Sequence, residues 1–481
     1  MSRKHRSRGA KALQGRLAAS TLGLSLLLAS SAVGAQPAGP ASLPPAQPPA
    51  PLPPAARLPP AAPQVDAPKL EAPKVDTPKA EPVTGVAPQG GAPRAEPSKS
   101  GDKAPLVTTA PADGFGLQSQ DGDFSLKLRG VVQADSRFFF GSGTNQFLLR
   151  RVRPTVDGTV YKFFEYRITA ELTATPSALD AYGNVRLIKE AQLRVGKFKV
   201  PVGLQRLQND PDMPFMERGL PSLLVPDRDI GAMLHGEAFD GALAYAIGIF
   251  DGAGNGQSLD GDTSDYKDVD GRIFVRPFVP LKVDLVNLGV GIAATRGTQV
   301  GPQPRISSPD QNIFYFYADN AVAAGTHRRL APQGYAYIGP FGLLVEYTRS
   351  SQIMTNGVNT GPAVLSAWQV EFNAYLTGEK ASYSIVTPRH ALDPAKGHWG
   401  AVEVAARYGA LNVAADVFAL GFADPNRVPS SVHEWAVAAN WHFARGFQLD
   451  VDYEYIQFTG GAKGGDKPTE TVLMSRLQAY Y

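Results

Sequence analysis

The chain ends on Thr471-Val-Leu-Met-Ser-Arg-Leu-Gln-Ala-Tyr-Tyr481, an alternating stretch that stops on an aromatic residue. Taken in steps of two, one face carries Leu473, Leu477 and Tyr481, whereas Arg476 lies in the middle of the other face. About ten alternating residues are the length of a strand that crosses a membrane in a β-barrel. A half-buried strand at the end of a soluble domain alternates in the same way, so the rest of the chain must decide between the two.

The same period of two continues upstream, and its polar face is charged. In Phe447-Gln-Leu-Asp-Val-Asp-Tyr-Glu-Tyr455, apolar and aromatic residues alternate with Gln448, Asp450, Asp452 and Glu454. Strands of soluble sandwiches are usually shorter and place the apolar face in a core. Long strands with charge through the middle of one face favour the opposite arrangement, with apolar side chains toward lipid and charged side chains toward a watery lumen.

The alternation predicts sixteen strands and therefore an all-β, transmembrane antiparallel barrel at residues 113–481. An even number places both barrel ends on the periplasmic side, and about sixteen strands leave room for water in the lumen. The predicted strands are 123–140, 145–160, 164–175, 180–188, 191–202, 229–239, 242–250, 268–278, 283–297, 332–339, 341–351, 364–377, 400–418, 433–443, 446–459 and 471–481.

Composition and the amino-terminal segment indicate export. Residues 1–35 combine a basic start, a short apolar run and small residues at Val33-Gly34-Ala35, which predicts a secretory signal peptide. The absence of cysteine excludes thiolate catalysis and thiolate metal sites. A net charge of +3 gives no reason to expect a nucleic-acid partner. We expect an outer-membrane location.

Residues 36–112 hold 21 of the 41 prolines and almost no aromatic residue. Such a composition predicts a disordered linker with polyproline character in the periplasm. One hypothesis is that this arm contacts the cell wall, and the alternative is a linker without a partner.

Residues 201–228 do not alternate and contain five prolines, so they cannot form a regular strand. They also contain many apolar residues, among them Leu204, Phe215 and Leu220. A connection this apolar is not expected to lie free in water. We predict that it folds into the barrel, narrows the pore and presents Arg206 and Arg218 to the passage, since arginine suits phosphate or carboxylate.

The early strands add basic residues on their polar faces, and the late strands add carboxylates. This pattern gives the hypothesis of a basic wall facing an acidic wall across the pore; the alternative is that these charges mainly pair with one another. The basic set is Lys127, Arg129, Arg137, Arg151, Arg153, Arg167, Arg186 and Arg194, and the acidic set is Glu371, Glu403, Glu434, Asp450, Asp452 and Glu454.

Several segments resemble the phosphate-selective porin O and P family of outer-membrane channels. The similarity runs in order along roughly residues 120–481. The segments are Phe124-Ser-Leu-Lys-Leu128, Gln133-Ala-Asp135, Phe147-Leu-Leu-Arg-Arg-Val-Arg-Pro154, Leu193-Arg-Val-Gly-Lys-Phe198, Val202-Gly-Leu-Gln-Arg206, Met216-Glu-Arg-Gly219, Arg228-Asp-Ile-Gly231, Leu376-Thr-Gly-Glu379 and Met474-Ser-Arg-Leu-Gln-Ala-Tyr-Tyr481.

The resemblance implies a homotrimeric channel for small anions such as phosphate or polyphosphate, constricted by its third extracellular loop. By motif, the family's anion-binding residues fall on Arg150, Arg151, Asp180, Arg206 and Arg218. The sequence departs from the family pattern at Val131, where an arginine is expected, and at Gln448, where a lysine is expected. A non-selective general diffusion porin is therefore the alternative function.

Two further classes were weighed, an outer-membrane barrel enzyme and a soluble periplasmic β-protein. The histidines are scattered, and no serine or aspartate stands in a recognisable triad context. No metal-ligand spacing stands out, so neither a metal nor a cofactor is expected. The predicted partners are anionic solutes and outer-membrane lipid.

Overall fold

In a computed structural model that describes residues 106–110, 114–141, 143–173, 175–261, 264–281 and 286–481, sixteen antiparallel strands form one closed barrel. Each strand pairs with the next, and the last pairs with the first, for example Leu473 with Phe138. In chain order the strands are β1 Ser125–Phe139, β2 Gln146–Val160, β3 Phe164–Glu171, β4 Ser177–Ile188, β5 Ala191–Lys199, β6 Arg228–Ala238, β7 Leu243–Phe250, β8 Asp268–Val275, β9 Val286–Gly301, β10 Val322–Ile338, β11 Phe341–Thr355, β12 Thr360–Tyr375, β13 Ala401–Val413, β14 Pro429–Ala444, β15 Phe447–Ala462 and β16 Glu470–Tyr480. The predicted barrel and its strand number are confirmed.

The barrel is closed at its carboxyl terminus. Gly130 and Tyr481 exchange two backbone hydrogen bonds, with nitrogen–oxygen distances of 3.0 and 3.1 Å. The terminal aromatic residue thus lies directly against β1, which completes the ring.

The inward and outward faces have the polarity expected of a barrel in lipid. On β2, Phe147 is 81% exposed on the outside, whereas Asp452 and Glu454 on β15 are completely buried on the inside. The outward side chains are almost all apolar. Charged side chains turned inward need partners or water because an uncompensated charge is costly in an apolar medium, and this places the polar interactions of the protein in the lumen.

Two predicted boundaries are wrong. The linker was expected to continue to residue 112, but Leu106–Ala110 forms a strand with Gly114–Gln118, which in turn pairs with the start of β1. Residues 106–110 contain no proline, so their backbone groups are free to pair. The other boundary is that of β10, which begins at Val322 rather than at residue 332. The predicted signal peptide at 1–35, and the remainder of the 36–112 segment, lie outside the described residues.

The two ends of the barrel differ. At one end, here called the turn end, most connections are short, such as residues 161–163 and 189–190. At the opposite end, the loop end, connections are longer, and the longest is residues 200–227 between β5 and β6. Short periplasmic turns and longer extracellular loops are the usual asymmetry of outer-membrane barrels.

The remaining elements are small. They are two α-helical turns, Leu204–Leu207 and Ala415–Ala419, three 3-10 turns, Asp210–Asp212, Leu220–Leu224 and Pro394–Lys396, and the short strands Ile306–Ser307, Ile313–Tyr315 and Gly465–Asp466. Within the described part of the chain, no helix has both the length and the apolar composition needed to cross a bilayer.

Candidate functional site

The connection between β5 and β6, residues 200–227, enters the lumen as predicted and is called the inserted loop below. Its apolar side chains Leu204, Phe215, Met216, Leu220 and Leu224 are almost completely buried. Burial of this apolar surface against the inner wall explains why the loop does not extend into water. The inserted loop therefore divides the lumen.

Carboxylates of the late strands hold the inserted loop. Glu346 accepts hydrogen bonds from the backbone N–H groups of Leu204 at 2.6 Å and Gln205 at 3.3 Å. Glu371 accepts from the Gln205 side chain at 2.9 Å, and Asp452 accepts from the Met216 backbone N–H at 2.6 Å.

An arginine of the same wall completes the attachment. Arg407 donates to the backbone oxygen of Glu217 at 2.8 Å and to the carboxylates of Glu434 and Glu454 at 2.6 and 3.0 Å. Its guanidinium also lies 4.4 Å from the centre of the Phe215 ring. The hypothesis of an acidic wall facing the passage is therefore wrong for these residues, because their carboxylates bind the loop or Arg407.

A second segment supports the inserted loop from the turn end. The connection between β12 and β13, residues 376–400, folds back toward the lumen, and the hydroxyl of Tyr383 donates to the backbone oxygen of Leu204 at 2.5 Å. In return, the side-chain amide of Gln208 donates to the backbone oxygen of Tyr383 at 2.9 Å. The loop is thus fixed both to the wall and from below.

Arg150 and Arg151 on β2 both reach the lumen, although they are adjacent in sequence. The pairing register between β1 and β2 shifts here, with Gln133 opposite Arg151 and Ala134 opposite Leu149. Arg150 is the extra residue of a β-bulge, which redirects a side chain that would otherwise face the other side.

Two carboxylates of the inserted loop gather the arginines of the early strands. Glu217 contacts Arg137 at 2.8 Å, Arg150 at 2.6 Å, Arg476 at 3.4 Å and Arg151 at 3.6 Å. Burial would raise the pKa of Glu217, but the arginines around it, led by Arg150 and Arg151, hold that pKa well below its usual range.

Asp210 has the same role one turn earlier in the loop. It contacts Arg218 at 2.5 Å and Arg151 at 3.4 Å, and it also pairs with Arg153. Burial would raise its pKa, and the nearby cations Arg151 and Arg218 instead hold it well below the usual range. Asp210 and Glu217 therefore remain ionised and fix the arginines in place.

A cavity of about 440 Å³, here called the outer cavity, lies on the loop-end side of the inserted loop. Its charged lining is five arginines and the single carboxylate of Glu217. The arginines are Arg150, Arg151, Arg206, Arg218 and Arg305. Arg206 donates to the backbone oxygen of Ser222 at 2.5 Å and lies 3.7 Å from Asp227.

A smaller cavity of about 130 Å³, the inner cavity, lies toward the turn end. Five basic residues line it, with Asp180 and Asp210 as its only carboxylates. The basic residues are Arg129, Arg153, Arg167, Lys199 and Arg228. Asp180 pairs with Arg228 at 3.0 Å, and Arg129 pairs with Asp157 at 2.6 Å.

The structure brings most of the sequence-predicted residues to these two cavities. Arg150, Arg151, Arg206 and Arg218 line the outer cavity. Arg129, Arg153 and Asp180 line the inner cavity. Lys127 lies apart, in a third cavity of about 700 Å³ at the turn end. Arg137 lines none of the three, because it is buried between Asp135 and Glu217.

Sequence reasoning missed the importance of Lys199, Arg228, Arg305, Asp210 and Glu217. The first two stand at strand ends beside the inserted loop, and the carboxylates lie within it, where strand periodicity gives no direction for a side chain. The presence of Asp and Glu among the loop arginines was the available signal, since buried arginines need anionic partners.

The loop-end connection 302–321 also enters the lumen. Its Asp310 is buried, and burial together with the neighbouring carboxylates of Glu454 and Glu470 raises its pKa. Ser308 of the same connection donates to Glu470 at 2.8 Å.

Other chemistry was searched for in the described residues. They contain no group of three or more side chains that could hold a metal ion. His327 and Ser350 lie 2.8 Å apart, but Nδ1 of His327 has no hydrogen-bond partner there, so the pair lacks the acid of a triad.

A closed sixteen-stranded barrel with apolar side chains outward and a loop folded into a charged lumen defines an outer-membrane channel of the porin class. The model of the family described as phosphate-selective porin O and P matches residues 126–481, about three quarters of the chain. The chain belongs to this family.

Solved structures show the same fold at low sequence identity. The outer membrane channel DcaP of Acinetobacter baumannii is 9% identical with a TM-score of 0.51, covering 76% of this chain and 99% of that one. The in-vitro folded OmpT, an outer membrane protein of Vibrio cholerae, is 11% identical with a TM-score of 0.49, covering 75% and 98%. An anion-selective porin from Comamonas acidovorans is 11% identical with a TM-score of 0.46, covering 74% and 100%. No curated protein sequence matches the chain.

Proposed function

We propose that this porin conducts small anions, with phosphate or polyphosphate as the favoured class, through a passage between the inserted loop and the wall formed by β1–β8. The observation that carries the proposal is the charge of the two cavities. Five arginines stand against one carboxylate in the outer cavity, and five basic residues stand against two carboxylates in the inner cavity.

The position of the carboxylates supports the direction of selectivity. Those of the late wall, such as Glu346 and Asp452, accept hydrogen bonds from the inserted loop. They are covered by the loop and do not line either cavity. A solute in the passage therefore meets an excess of positive charge, which raises the local concentration of anions.

The preference for phosphate rests on the kind of base as well as on the charge. Arginine presents a planar set of donors that matches phosphate oxygens. The anion-binding role of Arg150, Arg151, Asp180, Arg206 and Arg218, and the pore-lining role of Lys127, Arg129, Arg137 and Arg153, belong to this proposal. Asp180 orients Arg228, with which it pairs at 3.0 Å.

The second candidate is a non-selective general diffusion porin. The pairing of Arg150 with Glu217 and of Arg218 with Asp210 favours it, because each pair is locally neutral. The two candidates differ in reversal potential across a salt gradient.

The test is a planar-bilayer recording of the purified protein in a potassium chloride gradient, with and without inorganic phosphate. We expect a reversal potential on the anion side, and block of the chloride current by phosphate. A reversal potential at zero would establish the non-selective porin, and one on the cation side would refute both candidates.

A charge-removal variant ties the selectivity to the cavity. Arg150→Gln combined with Arg206→Gln and Arg305→Gln removes three positive charges from the outer cavity and should weaken phosphate block severalfold. Lys189→Gln with Lys380→Gln and Lys396→Gln removes the same charge from exposed positions near the turn end. Equal loss of block in both triple variants would show that net charge, not the cavity, sets the preference.

A homotrimer and a periplasmic position for the 36–112 segment are part of the same proposal. Chemical cross-linking of the detergent-solubilised protein should stop at three chains. Deletion of residues 40–105 should abolish co-sedimentation with purified cell wall if the arm contacts it.

A further inference from the structure

The outward face of the barrel carries one cluster of charged side chains. In the sixteen strands as described, Arg296 on β9, Arg328 on β10 and Arg349 on β11 are the only Asp, Glu, Lys or Arg side chains turned outward, and all three are exposed. Every other lipid-facing position on these strands is apolar, small or uncharged. We call this cluster the arginine patch.

The three arginines are neighbours on the surface. Arg296 lies directly opposite Arg328 in the register of β9 and β10. Arg328 lies opposite Ser351 on β11, two residues along the strand from Arg349, which lies opposite Leu330. Together they surround a groove of about 450 Å³ whose other lining residues include Ala294, Leu330 and Ser351.

No carboxylate of the described chain forms an ion pair with the arginine patch, and none of its three side chains has a hydrogen-bond partner there. This differs from the lumen, where Arg150, Arg218 and Arg228 each have an acidic partner. An unpaired arginine facing lipid is costly at the middle of the bilayer and tolerated only near its surface. Their anionic partner must therefore come from outside the chain, at a suitable height.

The height of the patch fits the outer edge of the lipid layer. Arg328 lies ten residues from Ile338, the turn end of β10. At roughly 3.4 Å per residue and a strand tilt of about 40°, ten residues rise about 26 Å. Phe341 and Phe372 stack near the turn end, with ring centres 6.2 Å apart, as expected of the lower aromatic girdle. A lipid-facing band is about 25 Å tall, so the patch lies at its upper boundary.

From these observations we propose that the arginine patch binds a phosphorylated glycolipid of the outer leaflet through its phosphate groups. Three guanidinium groups in two adjacent cross-strand rows match a headgroup with two phosphates, since each fork can donate to two oxygens. Below the patch, Ile292 and Tyr347 continue an apolar surface for the acyl chains. The site is separate from the pore and does not depend on its selectivity.

The test is native mass spectrometry of the detergent-solubilised full chain, titrated with lipid A that carries two phosphates. We expect a bound lipid that survives transfer to the gas phase, and a more than tenfold weaker association of the same lipid with its phosphates removed. Arg296→Gln with Arg328→Gln and Arg349→Gln should weaken binding of the bisphosphorylated lipid at least tenfold. The heat-modifiable mobility of this variant shows whether the barrel has folded.

Two further variants sharpen the result. The three corresponding Arg→Lys changes keep the charge but remove the planar fork, and should give binding between that of the wild type and the glutamine variant. Lys189→Gln with Lys380→Gln and Lys396→Gln should bind like the wild type.

Equal binding by all variants, or equal binding of a zwitterionic phospholipid, would overturn the proposal. Loss of the oligomer in the Arg→Gln variant, without any lipid binding by the wild type, would also overturn it and identify the patch as an interface between copies. Ion selectivity should be unchanged in the Arg→Gln variant whether or not the pore prefers anions.

Discussion

Arg150 and Arg151 are consecutive in the chain, and both contact the carboxylate of Glu217, at 2.6 and 3.6 Å respectively. The bulge in β2 makes this possible, since a regular strand would turn one of the two toward lipid. One carboxylate of the inserted loop thus organises a pair of arginines that strand alternation would separate.

Replacement of Glu217 by Gln should increase the preference for anions. The change removes the only carboxylate of the outer cavity and leaves Arg150 and Arg151 without that counter-charge. Breaking a buried ion pair costs about 3–5 kcal/mol, so the midpoint of heat modification should also fall. Reversal potentials in a salt gradient measure the first effect, and gel mobility after graded heating measures the second. The structure would be contradicted by a variant with lower anion preference.

Replacement of Glu346 by Ala should release the inserted loop. The backbone N–H groups of Leu204 and Gln205 both donate to this carboxylate, and each would be left without its acceptor. An unsatisfied buried group costs about 1–3 kcal/mol. We expect noisier single-channel currents and faster tryptic cleavage after Arg206. Glu190→Ala, in an exposed turn, is the matched control, and equal behaviour of the two variants would show that Glu346 is not an anchor.

Sequence alone predicted the barrel well because the lipid-facing and lumen-facing sides differ so strongly. Its largest error, the late start assigned to β10, has a physical cause. Residues 322–331 carry Arg328 outward and His327 and Arg329 inward, so the polarity alternation fails where the arginine patch lies. The bulge at Arg150 escaped periodicity for a related reason, since adjacent arginines give no parity.

The inserted loop was predicted as a whole but not in detail. Its apolar content announced that it would be buried. Its attachment depends on contacts between positions far apart in the chain, such as Met216 with Asp452 and Gln205 with Glu371. No local pattern encodes such pairs, so carboxylates that anchor the loop were assigned to the pore wall.

Asp212 should make the stability of the inserted loop depend on pH. Burial raises the pKa of this carboxyl from 3.8 to about 6, partly opposed by a hydrogen bond from Asn209. Between these values the folded chain binds more protons than the unfolded chain, so the free energy of unfolding decreases as pH rises. A shift of two units corresponds to at most about 3 kcal/mol, and less for a half-buried group.

The measurement is the midpoint of heat modification for the wild type and Asp212→Asn between pH 3.5 and pH 8, spanning the pKa of about 6. The variant keeps an acceptor for Asn209 and carries no charge, so it should be the more stable protein at pH 8. The difference should disappear near the acid end of the range. A constant difference at all pH values would mean that ionisation of Asp212 is not its cause.

Gly130→Ala should weaken closure of the barrel. A methyl group at this position would lie 2.8 Å from three atoms of the Tyr481 phenol, the residue whose backbone is hydrogen-bonded to Gly130. Overpacking of this kind costs about 1–3 kcal/mol, which should lower the heat-modification midpoint and slow refolding into detergent micelles. Gly465→Ala is the matched control, since nothing lies within 4 Å of the added methyl group. Tyr481→Ala should remove most of the penalty in the double variant. If instead the two changes were additive, the ring would not be the source of the strain, and the terminal aromatic residue would act on closure in some other way.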